Sequence, residues 1–122
     1  MTKNKHFNKE VFCNRMGGDQ DAIISVLQFA VNNMKTKMLE TKNFKKRIQI
    51  YRFAHFLRGT ASNVSFDVCV EICNEILEIT DSFKNENDQS ITPEMKDKLN
   101  ELEEAVTVTC KIIDIYISSK SG

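Results

Sequence analysis

The chain has no tryptophan, one proline and four glycines among 122 residues. So little proline and glycine excludes a collagen-like or low-complexity chain. No apolar run approaches the roughly 20 residues that a membrane span needs. Met1 to Lys9 is polar and basic, without the apolar segment of a secretory signal, so a cytoplasmic protein with no membrane partner is expected. The four cysteines, Cys13, Cys69, Cys73 and Cys110, lack the spacing of a disulfide scaffold. Cys69 and Cys73 stand four residues apart and on a helix could reach a common ion. Burial as small core residues is the commoner fate of free cysteine. Only His6 and His55 could complete a zinc set, so no resident metal or cofactor is expected. A phosphate-binding glycine loop and a catalytic constellation are missing as well, so kinase, ATPase and hydrolase readings fail.

Net charge is also missing, with 17 basic and 17 acidic residues, but the two signs are segregated. Residues 35–58 carry eight cations (Lys35, Lys37, Lys42, Lys45, Lys46, Arg47, Arg52, Arg58) against Glu40, or +7. Residues 67–104 carry twelve acids against three lysines, or −9. The two blocks either dock on one another or face different partners. Nothing else here resembles a nucleic-acid motif, so no nucleic acid is expected. The basic block reads as a solvated helix face or as a surface that steers an acidic protein.

What is present is helical periodicity. The length suits one domain over 1–122, with flexible tails expected at 1–7 and 119–122. Five helices are expected, near residues 8–16, 19–41, 44–64, 66–83 and 92–118. Asn8 is an N-cap candidate, with Phe7 and Phe12 at the staple positions around it. Gly17-Gly18 ends the first helix and Asp19 caps the second. In the second helix Ile23, Val26, Leu27, Ala30, Val31, Met34 and Met38 repeat every three or four residues. In the third, Ile50, Ala54, Leu57, Ala61 and Val64 form the stripe expected to be buried. Ser65 is expected to cap the fourth helix, whose inner face reads Cys69, Ile72, Ile76, Ile79 and Phe83. The polar residues 84–91 form the longest loop. Thr92-Pro93 then starts the fifth helix, along which Met95, Leu99, Leu102, Val106, Thr109, Ile113 and Tyr116 recur. The pattern predicts an all-α fold: an antiparallel up-down four-helix bundle with a short N-terminal capping helix.

The chemistry concentrates at His55-Phe56-Leu57-Arg58-Gly59-Thr60-Ala61-Ser62. Positions i, i+3 and i+4 share a helix face, so His55, Arg58 and Gly59 combine a nucleophile, a cation for an anion, and a gap. Gly59 inside a helix costs about 1 kcal/mol relative to alanine. It serves either close packing of a neighbouring helix or the approach of an external partner. Its place on the His55 face favours the partner.

These residues resemble the signature of histidine-containing phosphotransfer (HPt) domains, His-x-Leu-Lys-Gly followed by small residues. Arg15-Met16-Gly17-Gly18-Asp19 is similar to the Gly-Gly-Asp turn before their long second helix, and Phe66 to Leu77 to the helix after the motif. Arg58 replaces the usual lysine, keeping the charge in a planar fork. Ser65 stands where glycine usually ends the helix. The resemblance implies a phosphorelay intermediate that accepts a phosphoryl group on His55 from a receiver-domain aspartate of a hybrid sensor histidine kinase. It would pass the group to a response-regulator receiver. By that resemblance Arg58 stabilises the phosphate, Gly59 gives the receiver access, and the Mg2+ sits in the receiver. Phe56, Ser62, Met16 and Arg52, with Phe53 a further candidate, would form the docking surface. A monomer is expected from the closed core. The competing class is a helical module that docks and inhibits a receiver or histidine kinase without carrying phosphate. A sensor-kinase hairpin fits less well, because Phe56 replaces the acid that usually follows the histidine.

Overall fold

In the computed structural model, residues 5–83 and 85–121 are described. They form five α-helices and no strand. The helices are α1 (Lys9–Arg15), α2 (Gln20–Glu40), α3 (Arg47–Asn63), α4 (Asp67–Asp81) and α5 (Pro93–Ser121), with a 3-10 turn at Thr41–Asn43 between α2 and α3. The longest packing seam joins α3 to α4, and α4–α5, α2–α5 and α2–α3 seams accompany it. No helix is long and apolar enough to cross a membrane among the described residues.

The helix starts follow from local chemistry. The Asn8 side chain accepts from the Val11 amide at 3.4 Å, and the Asp19 side chain accepts from the Ala22 amide at 3.2 Å. Thr92 Oγ1 accepts from the Met95 amide at 3.2 Å, with proline at the first position of α5. Each cap satisfies an amide that the first turn leaves without a carbonyl. Phe7 and Phe12 meet at 6.1 Å between ring centroids, as a staple requires.

α3 begins three residues later than the pattern suggests, at Arg47 rather than Phe44. Gln49 Oε1 accepts from the amides of Lys45 (2.7 Å) and Lys46 (2.9 Å) and closes the start. Arg47 is a buried cation. Its Nε donates to the Ser90 carbonyl at 2.5 Å, its Nη1 lies 3.3 Å from Glu86, and the guanidinium covers the Phe83 ring at 4.2 Å. The long polar loop is therefore the clamp on the start of α3.

Ser65 does not cap α4. Phe66 holds that position, while Ser65 takes a left-handed φ of +58°. The Phe66 amide donates to the Ala61 carbonyl (2.9 Å) and the Ser65 amide to the Ser62 carbonyl (3.2 Å). This is the Schellman pattern, which places a left-handed residue just past the helix end. The same pattern ends α1 at Gly17, with φ +70°.

Parts of both expected tails lie within the described residues. Phe7 is buried against Phe12, Phe66 and Tyr116, and the Lys5 carbonyl accepts from the Val68 amide at 3.0 Å. Only residues 1–4 of the expected N-terminal tail lie outside the described part. At the other end α5 continues through Ser121, so residues 119–121 are helix, and Gly122 lies outside the described residues. α1 lies over the α3–α4 turn: the Asn8 amide donates to the Ser65 carbonyl at 2.9 Å, and Arg15 Nη1 donates to the carbonyls of Ser62 (3.4 Å) and Asn63 (3.2 Å).

The core takes the whole α3 stripe, and Ile23, Leu27, Ala30, Val31, Met34 and Met38 from α2. Val26 is the exception on α2, 36% exposed. Cys69, Cys73 and Cys110 are buried. Burial in apolar surroundings pushes the Cys69 thiol up to about 11 and the Cys73 thiol to about 12. Both thiols therefore stay protonated and act as small core groups.

Candidate functional site

The helix that buries Ile50, Ala54, Leu57 and Ala61 must turn its other side outward, because these positions repeat with the helical period. His55 and Gly59 lie on that outer side, both exposed. The His55 ring stacks near Tyr51, one turn earlier, with centroids 6.3 Å apart and planes 28° apart. Among the described residues neither imidazole nitrogen takes part in a hydrogen bond. The ring contacts a residue of its own helix and is open to solvent.

Arg58 is half-buried on the α4 side, with Nη1 donating to Asn74 Oδ1 at 3.3 Å. That contact orients the guanidinium beside the His55 face and leaves other N–H donors for an anion. Gly59 follows one turn after His55. A Cβ placed there would meet no atom within 4 Å. Among the described residues, nothing outside its own helix would touch that Cβ, so close packing does not explain this glycine there.

The docking residues divide. Phe56 is 42% exposed, and Lys37 of α2 lies over its ring at 4.6 Å from the centroid. Arg52 and Ser62 are exposed, and Met16 is half-buried at the end of α1. Phe53 is buried, its ring 5.5 Å from that of Phe44, so it is a packing residue and not an exposed anchor. The structure adds residues that the sequence pattern does not single out. Val26, Phe29, Asn33 and Lys37 fall at three- and four-residue spacing on α2, and Lys37 touches Phe56, so this stripe borders α3. Phe29 is 71% exposed, the most open of the large apolar side chains. Its exposure is readable as a large residue off the apolar stripe.

The two edges of the His55 face differ in charge. On the α2 side a groove of about 340 Å3 is lined by Phe44, Phe53 and Phe56 with Lys37, Arg52 and Glu40. On the α4 side Asn74 is flanked one turn away by the exposed Glu71 and Glu78. No group of three or more metal-ligating side chains occurs among the described residues. Cys69 Sγ instead lies 3.7 Å from Thr109 Oγ1.

Comparison of the chain with protein-family models, with curated proteins and with solved structures finds no match.

Proposed function

We propose that this chain is a phosphorelay intermediate of the HPt type, with α2–α5 as an antiparallel up-down four-helix bundle capped by α1. The observation that carries the reading is Gly59. It interrupts a helix with a residue poorly suited to it, has open space where a side chain would stand, and lies one turn from an exposed, unbonded imidazole.

In this reading the neutral His55 imidazole attacks the phosphorus of an aspartyl phosphate on a receiver domain. A P–N bond forms at the outward Nε2, the P–O bond to the aspartyl carboxylate breaks, and the carboxylate leaves as an anion. The phosphoimidazolium sheds its Nδ1 proton to solvent or keeps it. The reverse sequence delivers the group to a second receiver. Such transfers rest on in-line positioning and charge neutralisation. Arg58 steadies the equatorial oxygens, the receiver contributes its Mg2+, and the open space at Gly59 admits the receiver's loop. Phe56, with Arg52, Ser62 and Met16 around it, forms the docking surface, to which Val26 and Phe29 add apolar area.

Intact-mass measurement after incubation with phosphoramidate tests this directly. Wild type gains one acid-labile phosphoryl group and His55→Gln gains none. An equal adduct on His55→Gln contradicts the assignment. No adduct on either protein favours the binding module that holds a receiver or kinase without carrying phosphate.

A further inference from the structure

We propose that the α2-side groove beside His55 docks an acidic protein surface and that the α4 side repels it, so that charge selects the receivers this chain serves. The inference rests on the phosphorelay reading for its readout. It uses the charges on the two sides of α3, which that reading leaves unused.

The groove is built from two kinds of groups. Phe44, Phe53 and Phe56 supply an apolar lining, and Lys37 and Arg52 supply cations at the rim. The acid in the groove, Glu40, is already engaged by Lys37 at 3.2 Å. Arg52 is exposed and has no partner among the described residues. Of the +7 block over residues 35–58, Arg47 is buried against Glu86, Arg58 turns to Asn74 of α4, and Lys35 and Lys42 line a pocket with α5, so Lys37 and Arg52 are the cations of this groove. Across α3, Glu71 and Glu78 flank the Asn74 that holds Arg58. A partner that places carboxylates over α2 and an apolar side chain on the phenylalanines is complementary to this face. The same partner turned around would set carboxylate against carboxylate. Such charge arrangements govern encounter rate and partner choice more than intrinsic affinity. A nucleic acid fits poorly, because a duplex laid on α3 meets the α4 carboxylates within one helix spacing, about 8–10 Å.

The experiment measures phosphotransfer to His55 from a panel of purified, phosphorylated receiver domains of acidic and neutral net charge, at low and high salt. Acidic receivers should load His55 faster, with the advantage shrinking as salt rises. The double variant Lys37→Gln/Arg52→Glu should lose on the order of tenfold in kcat/KM with acidic receivers, through KM. Glu71→Lys/Glu78→Lys should move it the other way. Thermal melts matching wild type establish that both variants fold. Unchanged kcat/KM in the Lys37→Gln/Arg52→Glu protein overturns the inference, as does equal loading by acidic and neutral receivers. Retention of a labelled DNA duplex that depends on Arg52 also overturns it and assigns the groove to nucleic acid. Phosphoramidate on wild type separates the two failures. An adduct without charge dependence sinks this inference alone, whereas no adduct sinks the phosphorelay reading and this inference with it.

Discussion

The middle and the end of α3 make opposite use of the backbone. At its end, Ser65 adopts a left-handed φ of +58°, a conformation that suits glycine. In its middle, Gly59 sits in regular helix, where alanine would be better, with open space for 4 Å around the point a Cβ would occupy. Folding alone would place the glycine at 65 and a larger residue at 59. The turn at 65 tolerates serine because the Schellman bonds and the Asn8 amide fix it from both sides. No contact among the described residues explains position 59. A local departure from the best helix former, on an exposed face one turn from His55, is what the proposed approach of a partner would require.

The largest test of that contrast fills the gap with bulk. Gly59→Gln leaves a folded helix but holds the receiver away from His55, and displacement of about 1 Å at a reacting centre lowers rates on the order of a hundredfold. Rapid-quench measurement of receiver-to-His55 transfer checks it. A normal rate would return Gly59 to a purely structural account.

The next pair reverses the two choices. Gly59→Ala should raise the stability of the chain by about 1 kcal/mol through helix propensity. Ser65→Gly should raise it by about 1 kcal/mol by relieving the left-handed serine. Urea midpoints for the two single variants and the double show whether both gains appear. They should add, because the sites share no partner. A loss at Gly59→Ala would reveal a packing role that the open space does not suggest.

The last test concerns the buried side of the molecule, where neutral pH shows no effect. The thiols of Cys69 and Cys73 ionise at about 11 and 12 in the folded protein, against the ordinary 9.0, chiefly because burial disfavours the thiolate. The folded state therefore holds these protons more tightly than the unfolded chain. Their stabilising contribution is complete below pH 9.0 and is lost as pH rises through 11 and 12. Thermal melts across that range should show the decline, and Cys69→Ala/Cys73→Ala should flatten it.

Much of this is legible in the sequence because it rests on period and local capping. The five helices, the caps at Asn8, Asp19 and Thr92 and the complete α3 stripe all follow from neighbours within a few residues. So does the exposure of His55 and Gly59. The rest depends on tertiary partners. Phe53 is buried because Phe44 folds back beside it, and Val26 is exposed because it lies at the edge of the α2 stripe. Arg47 is buried because a loop about forty residues away wraps its guanidinium, which no local pattern signals. At Ser65 the residue type misleads, because serine is a good helix cap. Its left-handed backbone reflects the turn between α3 and α4. Lys37 reaches Phe56 only because α2 lies beside α3.

The central claim is that His55 carries a phosphoryl group between two proteins. The most direct measurement follows a labelled phosphoryl group from one receiver domain, through this chain, to a second receiver. The account predicts that label reaches the second receiver only when the chain is present, passes through an acid-labile adduct, and stops entirely with His55→Gln. Transfer that persists through His55→Gln, or label that never leaves the first receiver although it binds the chain, would contradict it.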